Sequence, residues 1–164
     1  MFSTFPEINR ISLPKSSAKD QSRRTPRIGI VVIGVSYTYV QEVLQRSPAY
    51  STQLALFKIG SVYPFPEAQL HDFLLCTDVV LVLEELEPII ETHVLALIAE
   101  TGLQVKVLGK RNGLLPRVGD YTMELVEKAV KVAIENDGSV TLPQLSAVSS
   151  NSEDAGVAAA KQAS

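Results

Sequence analysis

Cysteine is nearly absent from these 164 residues, with Cys76 the only one. One thiol excludes an intrachain disulfide, a Cys-x-x-Cys pair and a cysteine-ligated cluster. Cys76 itself is expected to act as a small buried hydrophobe near a helix end. No apolar run approaches the roughly 20 residues a transmembrane helix needs. Residues 1–20 lack the apolar core of a signal peptide, so a cytoplasmic protein is the expectation. Basic charge is also scarce, 15 Lys and Arg against 18 Asp and Glu, for a net charge of −3. Nucleic-acid binders draw most of their affinity from clustered Lys and Arg, so this balance argues against general nucleic-acid binding.

Catalytic and nucleotide-binding signatures are missing as well. The chain has no Gly-x-Gly-x-x-Gly, no Gly-x-x-x-x-Gly-Lys-Ser/Thr phosphate loop, and no nucleophile elbow around Ser36. His71 and His93, the two histidines, belong to no metal-binding pattern. No residue is assigned as catalytic, cofactor-binding or metal-binding.

What is present is a repeating strand, turn and helix. Ile28–Ile33 reads as a buried strand ended by Gly34, and Ser36 as the N-cap of a helix over Tyr37–Arg46 that Ser47-Pro48 terminates. Leu54–Ile59 is the next strand, and Pro64 and Pro66 lead into a short helix through Leu75. Asp78–Leu83 is a strand, followed by a helix over Pro88–Glu100 with Gly102 as its stop. Gln104–Leu108 is a strand ended by Gly109, and a Thr122 cap opens a helix over Met123–Asn136. Such alternation makes βαβ units around a mostly parallel sheet with helices on both faces, a three-layer α/β/α fold. Residues 1–27 are polar and irregular, 28–136 form the domain, and 137–164 form a Ser- and Ala-rich tail expected to be disordered.

In open α/β sheets, ligands and partner domains are met at the carboxyl ends of the strands. Four loops converge there, each polar or glycine-rich: Gly34-Val35-Ser36-Tyr37, Gly60-Ser61-Val62-Tyr63-Pro64, Glu84-Glu85-Leu86-Glu87-Pro88 and Gly109-Lys110-Arg111-Asn112-Gly113. The candidate interface or ligand-edge residues are therefore Gly34, Ser36, Tyr37, Glu84, Glu85, Glu87 and Lys110. Gly34 and Ser36 offer backbone N–H groups of the kind that meet anions, although a tight turn with a helix cap is the simpler reading. Acidic residues favour the positive end of a helix, so Glu85 or Glu87 is expected to hold the start at Pro88 with Glu84 more exposed. Leu86, an apolar residue inside an acidic loop, is expected to be either buried or docked. Lys110 and Arg111 read as solvated loop charges.

A series of segments, in order, carries a family resemblance. They are Asn9-Arg10-Ile11, Arg27-Ile28-Gly29-Ile30 through Gly34-Val35-Ser36-Tyr37, and Lys58-Ile59-Gly60 with Tyr63-Pro64-Phe65-Pro66-Glu67. Val82-Leu83-Glu84-Glu85-Leu86-Glu87-Pro88, Gly109-Lys110 and Gly113-Leu114-Leu115-Pro116-Arg117-Val118-Gly119 complete it. The combination, over about residues 7–136, resembles the transketolase C-terminal-like domain of the indolepyruvate ferredoxin oxidoreductase alpha subunit, a thiamine-diphosphate-dependent 2-oxoacid:ferredoxin oxidoreductase. The resemblance implies a five-stranded sheet with one antiparallel edge strand, for which Asn9–Ser12 is the candidate. Leu13–Thr25 looks like an insertion.

The complete family enzyme uses thiamine diphosphate, Mg and iron–sulfur clusters to decarboxylate arylpyruvates oxidatively to acyl-CoA. This chain has no Gly-Asp-Gly metal motif and one cysteine, so no cofactor is expected in it. The resemblance then implies a non-catalytic structural or interface domain. Its partners would be other domains or subunits of such an oxidoreductase, or further copies of itself, and neither nucleic acid nor membrane. The alternative from the residues alone is a stand-alone small-ligand-binding or regulatory module of flavodoxin-like appearance.

Overall fold

The computed structural model describes residues 8–14 and 28–135. The tail at 137–164 and most of the Leu13–Thr25 segment lie outside the described residues. Five strands, β1 (Arg10–Ser12), β2 (Ile28–Ile33), β3 (Leu54–Ile59), β4 (Val79–Leu83) and β5 (Lys106–Leu108), form one sheet in the order β1-β3-β2-β4-β5. β3, β2, β4 and β5 are parallel, and β1 runs antiparallel to β3 with Ile11 opposite Phe57. The expected edge strand is therefore present.

The central strands are buried on both faces, which is why they read as continuous apolar runs. Alternation along β2 still sorts the side chains. Ile28, Ile30 and Val32 join one core with residues of α1 (Ser36–Arg46) and α5 (Met123–Glu135), and Val31 joins a second core with α3 (Glu67–Leu75) and α4 (Ile89–Thr101). Helices thus cover both faces of the sheet. Each fully buried Val, Leu, Ile or Phe contributes on the order of 1.5–3 kcal/mol, so these two layers dominate stability.

Gly29 faces the α3 layer, where a Cβ would lie 2.6 Å from Thr77 Cγ2 and 2.8 Å from Phe73 Cε1. The missing side chain lets Phe73 press onto the strand. Gly102 ends α4 in the left-handed region at φ 72°, as its place after the apolar stripe suggested.

Three local expectations need correction. Ser36 is the first residue of α1 rather than its cap; Val35 takes the cap position and no side chain bonds the free amides. Pro48 does more than stop α1, since it opens a single-turn helix, α2 (Pro48–Ser51). Cys76 is exposed at the end of α3, where the chain turns outward toward β4. Among the described residues, no helix is long and apolar enough to cross a membrane.

Candidate functional site

The connection from β2 to β3 leaves β2 on one side and the return to β4 lands on the other. The chain therefore reverses direction beside β2, and the loops after β2 and β4 flank that point at the carboxyl edge. Here the structure places a network of buried charge.

Glu84 follows the last residue of β4 and is 3% exposed. Its Oε2 accepts the Ile90 N–H at 2.7 Å and its Oε1 the Glu91 N–H at 2.8 Å. It thus satisfies two of the four amides that any helix start leaves unpaired, with a negative charge at the positive end of α4. This reverses the expected assignment. Glu84, not Glu85 or Glu87, holds the helix start, because the extended chain leaving β4 points its first side chain inward; Glu85 is half-buried and Glu87 exposed.

Glu91, two residues into α4 and 2% exposed, ties the next loop to this helix. Its Oε2 accepts the Lys110 N–H at 3.0 Å, and the Arg111 N–H reaches its two oxygens at 3.1 and 3.2 Å. Gly109 makes the approach possible, since a Cβ there would sit 2.8 Å from Glu91 Oε1. Asn112 shapes the loop from within, its Oδ1 accepting the N–H groups of Gly109 and Leu114 at 3.1 and 3.2 Å.

Lys110 is 2% exposed, not a solvated loop charge. Its Nζ donates to the Leu86 carbonyl oxygen and lies 5.4 Å from the centroid of the Tyr121 ring. Burial lowers its pKa from the ordinary lysine value, and the carboxylates around it, Glu84 first, oppose that shift. Burial likewise raises the Glu84 pKa against the pull of its two backbone donors, with Glu91 adding to the rise and Lys110 opposing it. Both Glu84 oxygens accept from amides that can only donate, which favours the ionised carboxylate. Arg111 is exposed and donates to Thr92 Oγ1 at 2.9 Å.

Tyr121 packs in the core with its hydroxyl unpartnered among the described residues. Burial and then Glu84 push the phenol well above its ordinary value of 10. A raised folded-state pKa contributes stability that is complete below pH 10 and lost as pH rises beyond it. Tyr121→Phe should therefore leave stability at pH 7 within about 1 kcal/mol of the parent, since no protein bond is lost. It should also flatten the loss of stability above pH 10. Chemical unfolding at pH 7 and 10.5 checks both, and a loss above about 2 kcal/mol at pH 7 would show that the hydroxyl is bonded.

Leu86 is neither buried nor packed. It is 72% exposed and takes φ 58°, the left-handed region that favours glycine. Its neighbours Glu87, Pro88 and Ile89 line a shallow cavity of about 320 Å3 with Thr92, His93 and Arg111. His93 is half-buried and stacks on Phe65 with ring centroids 4.0 Å apart.

The β2–α1 loop stands apart from this network. Gly34 has φ 67°, Ser36 is buried with its hydroxyl unpartnered among the described residues, and Tyr37 carries Lys58 Nζ 4.9 Å from its ring centroid. No hydrogen bond between described residues joins that loop to Glu84 or Lys110. At the far side, Asn9 Oδ1 accepts the Gly60 N–H at 2.9 Å and holds the start of β1 against the loop after β3. Sequence reasoning missed Glu91, Tyr121 and Asn112. A usable signal existed for the first, a carboxylate in the opening turn next to the apolar stripe of Ile90 and Val94.

Residues 18–141 match the indolepyruvate oxidoreductase domain family. The chain is 34% identical over 124 residues to the indolepyruvate oxidoreductase subunit IorA of Methanothermobacter marburgensis, covering 76% of this chain and 18% of that subunit. It is also 34% identical over 107 residues to subunit IorA of Archaeoglobus fulgidus, covering 65% of this chain and 16% of that subunit. The chain thus spans less than a fifth of the length of these relatives. In fold it is similar to 2-oxoglutarate:ferredoxin oxidoreductase from Magnetococcus marinus, with TM-score 0.52 and 19% identity over 79% of this chain and 20% of that one. A split-gene transketolase, solved as an inactive β4 tetramer, matches at TM-score 0.52 and 18% identity over 67% of this chain and 40% of its own.

Proposed function

The chain belongs to the indolepyruvate oxidoreductase domain family, and from that premise we propose that it is a structural and interface domain of an indolepyruvate-type 2-oxoacid:ferredoxin oxidoreductase. The reaction it serves is the oxidative decarboxylation of arylpyruvates to acyl-CoA, with the chemistry carried by other parts of the assembly. One observation carries this reading. Both buried carboxylates at the carboxyl edge are consumed by backbone amides: Glu84 by two at the start of α4, Glu91 by those of Lys110 and Arg111. A general acid or base must present a lone pair or proton to a reacting atom, and these groups face the fold instead.

The residues also do not fit the groups the family uses. Cys76 is a single exposed thiol, and among the described residues no three His, Cys, Asp or Glu are placed to hold a metal ion. The domain extends over 28–136 in this reading, and other domains or subunits supply the cofactor sites.

Calorimetry tests the assignment. The full chain titrated with thiamine diphosphate and magnesium should give no binding heat. The same titration should give saturable binding once the parts of the M. marburgensis subunit IorA outside the matched segment are added. Micromolar binding of thiamine diphosphate to the chain alone would overturn the proposal.

A further inference from the structure

We propose that the carboxyl edge of the sheet docks a neighbouring domain of the same oxidoreductase, with Leu86 plugging an apolar socket rimmed by Lys and Arg. This rests on the interface reading above and names the surface and the chemistry of its occupant.

Six of the ten large apolar side chains exposed among the described residues share one location, while Ile8, Ile11, Leu13 and Leu75 lie in or beside β1 or at the end of α3. Val35, Val62, Tyr63, Leu86, Ile89 and Val118 all lie in loops or helix starts that follow the four parallel strands, and so at one edge of the sheet. Tyr63 is 90% exposed. Single exposed hydrophobes need no explanation, whereas a convergent set marks a contact surface.

Leu86 is the member least explained by the isolated fold. Its side chain gains nothing from burial, and its backbone sits where a glycine would sit without strain. The conformation is held from below by the buried Lys110 ammonium on the Leu86 carbonyl, backed by the Tyr121 ring. The fixed backbone already presents the side chain in one direction for docking, which removes part of the entropy cost of association. Ile89 and the shallow cavity beside Glu87 extend the apolar surface past the loop.

Charge identifies the occupant. Leu86 lies between Glu85 and Glu87, half-buried and exposed. A second copy docking Leu86 on Leu86 would set these flanking carboxylates against themselves, which is unfavourable, the exposed cations of this edge, Arg111 and Arg117, lying in the loop after β5. A basic rim around the socket matches them. The M. marburgensis relative carries more than four-fifths of its length outside the matched segment, ample chain to furnish such a socket.

The test measures association of the full chain with the remaining parts of the M. marburgensis subunit IorA. Leu86→Glu should weaken binding at least 30-fold, and Leu86→Gly about tenfold or more while raising the chain's own thermal midpoint. Leu75→Glu, at the opposite edge, should bind like the parent; circular dichroism confirms that all three fold. Binding should weaken as salt rises, and less steeply in the double variant Glu85→Gln/Glu87→Gln. Parent binding that survives Leu86→Glu unchanged, or is lost equally in Leu75→Glu, overturns the docking edge and leaves the interface reading intact. A dimer of the chain that Leu86→Glu dissociates assigns the edge to a second copy and also overturns it. Absence of any complex with the parent overturns the interface reading itself.

Discussion

Replacing Glu91 with alanine is expected to produce the largest loss of stability in this domain outside its apolar core. The carboxylate accepts the amides of Lys110 and Arg111, and neither has another partner positioned to take its place. Each amide stranded away from water costs about 1–3 kcal/mol, more than the hydrogen bond contributes when made. A void opens next to Gly109 as well, because the strand end is shaped to the carboxylate. Relief of the repulsion between Glu91 and Glu84 offsets part of this. A net loss on the order of 3–5 kcal/mol follows, in the range for breaking a buried charged network. For a domain of this size each kcal/mol is worth roughly 3–6 °C in Tm, so a fall above about 10 °C is expected. Glu91→Gln should lose about half as much, since its oxygen still accepts one amide while its NH2 opposes the other. Differential scanning calorimetry of the two variants checks the order, and a fall under about 3 °C for Glu91→Ala would remove this residue from the account.

Lys110→Met should lower stability by a smaller amount that depends on pH. The methionine fills the same space but no longer donates to Leu86 or opposes the charge of Glu84. At pH 7, Glu84 and Glu91 then share a buried site without a cation, and a loss of about 2–4 kcal/mol is expected. The sign of the pH dependence follows from Glu84, whose folded-state pKa is already raised and rises further once Lys110 is gone. A group with a raised folded pKa contributes stability that is complete below its unfolded value, near 4.5, and lost as pH rises through the folded value. The deficit of Lys110→Met relative to the parent should therefore be smallest near pH 4 and grow toward pH 7. Urea unfolding across that range checks it. A deficit that is constant or shrinks as pH rises would show that Lys110 acts only through its bond to Leu86.

Most of the fold was legible because the signals that encode it are local. The apolar runs at 28–33 and 54–59 correspond to β2 and β3, and Gly102 and Thr122 sit where a helix stop and a helix start were expected. The family resemblance supplied the antiparallel strand near Asn9, which no periodicity could reveal from three residues. The site was legible only in outline. The four carboxyl-edge loops were found, but the ranking of Glu84, Glu85 and Glu87 was inverted. Which of three adjacent carboxylates turns inward depends on the direction in which β4 delivers the chain, and composition does not carry that. Glu91 was missed and Lys110 misread for a related reason. Their burial depends on a contact between positions 19 residues apart, closed by Gly109 and the Asn112 turn. Ser36 shows the limit of propensity, a favourable capping residue that the packing of α1 on β2 draws into the first turn instead.

Sedimentation velocity of the full chain mixed with the parts of the M. marburgensis subunit IorA outside its matched segment decides whether this is an interface domain. The chain should leave its own boundary and migrate with those parts at 1:1 stoichiometry. A folded chain that sediments alone at every concentration of those parts would contradict an interface role.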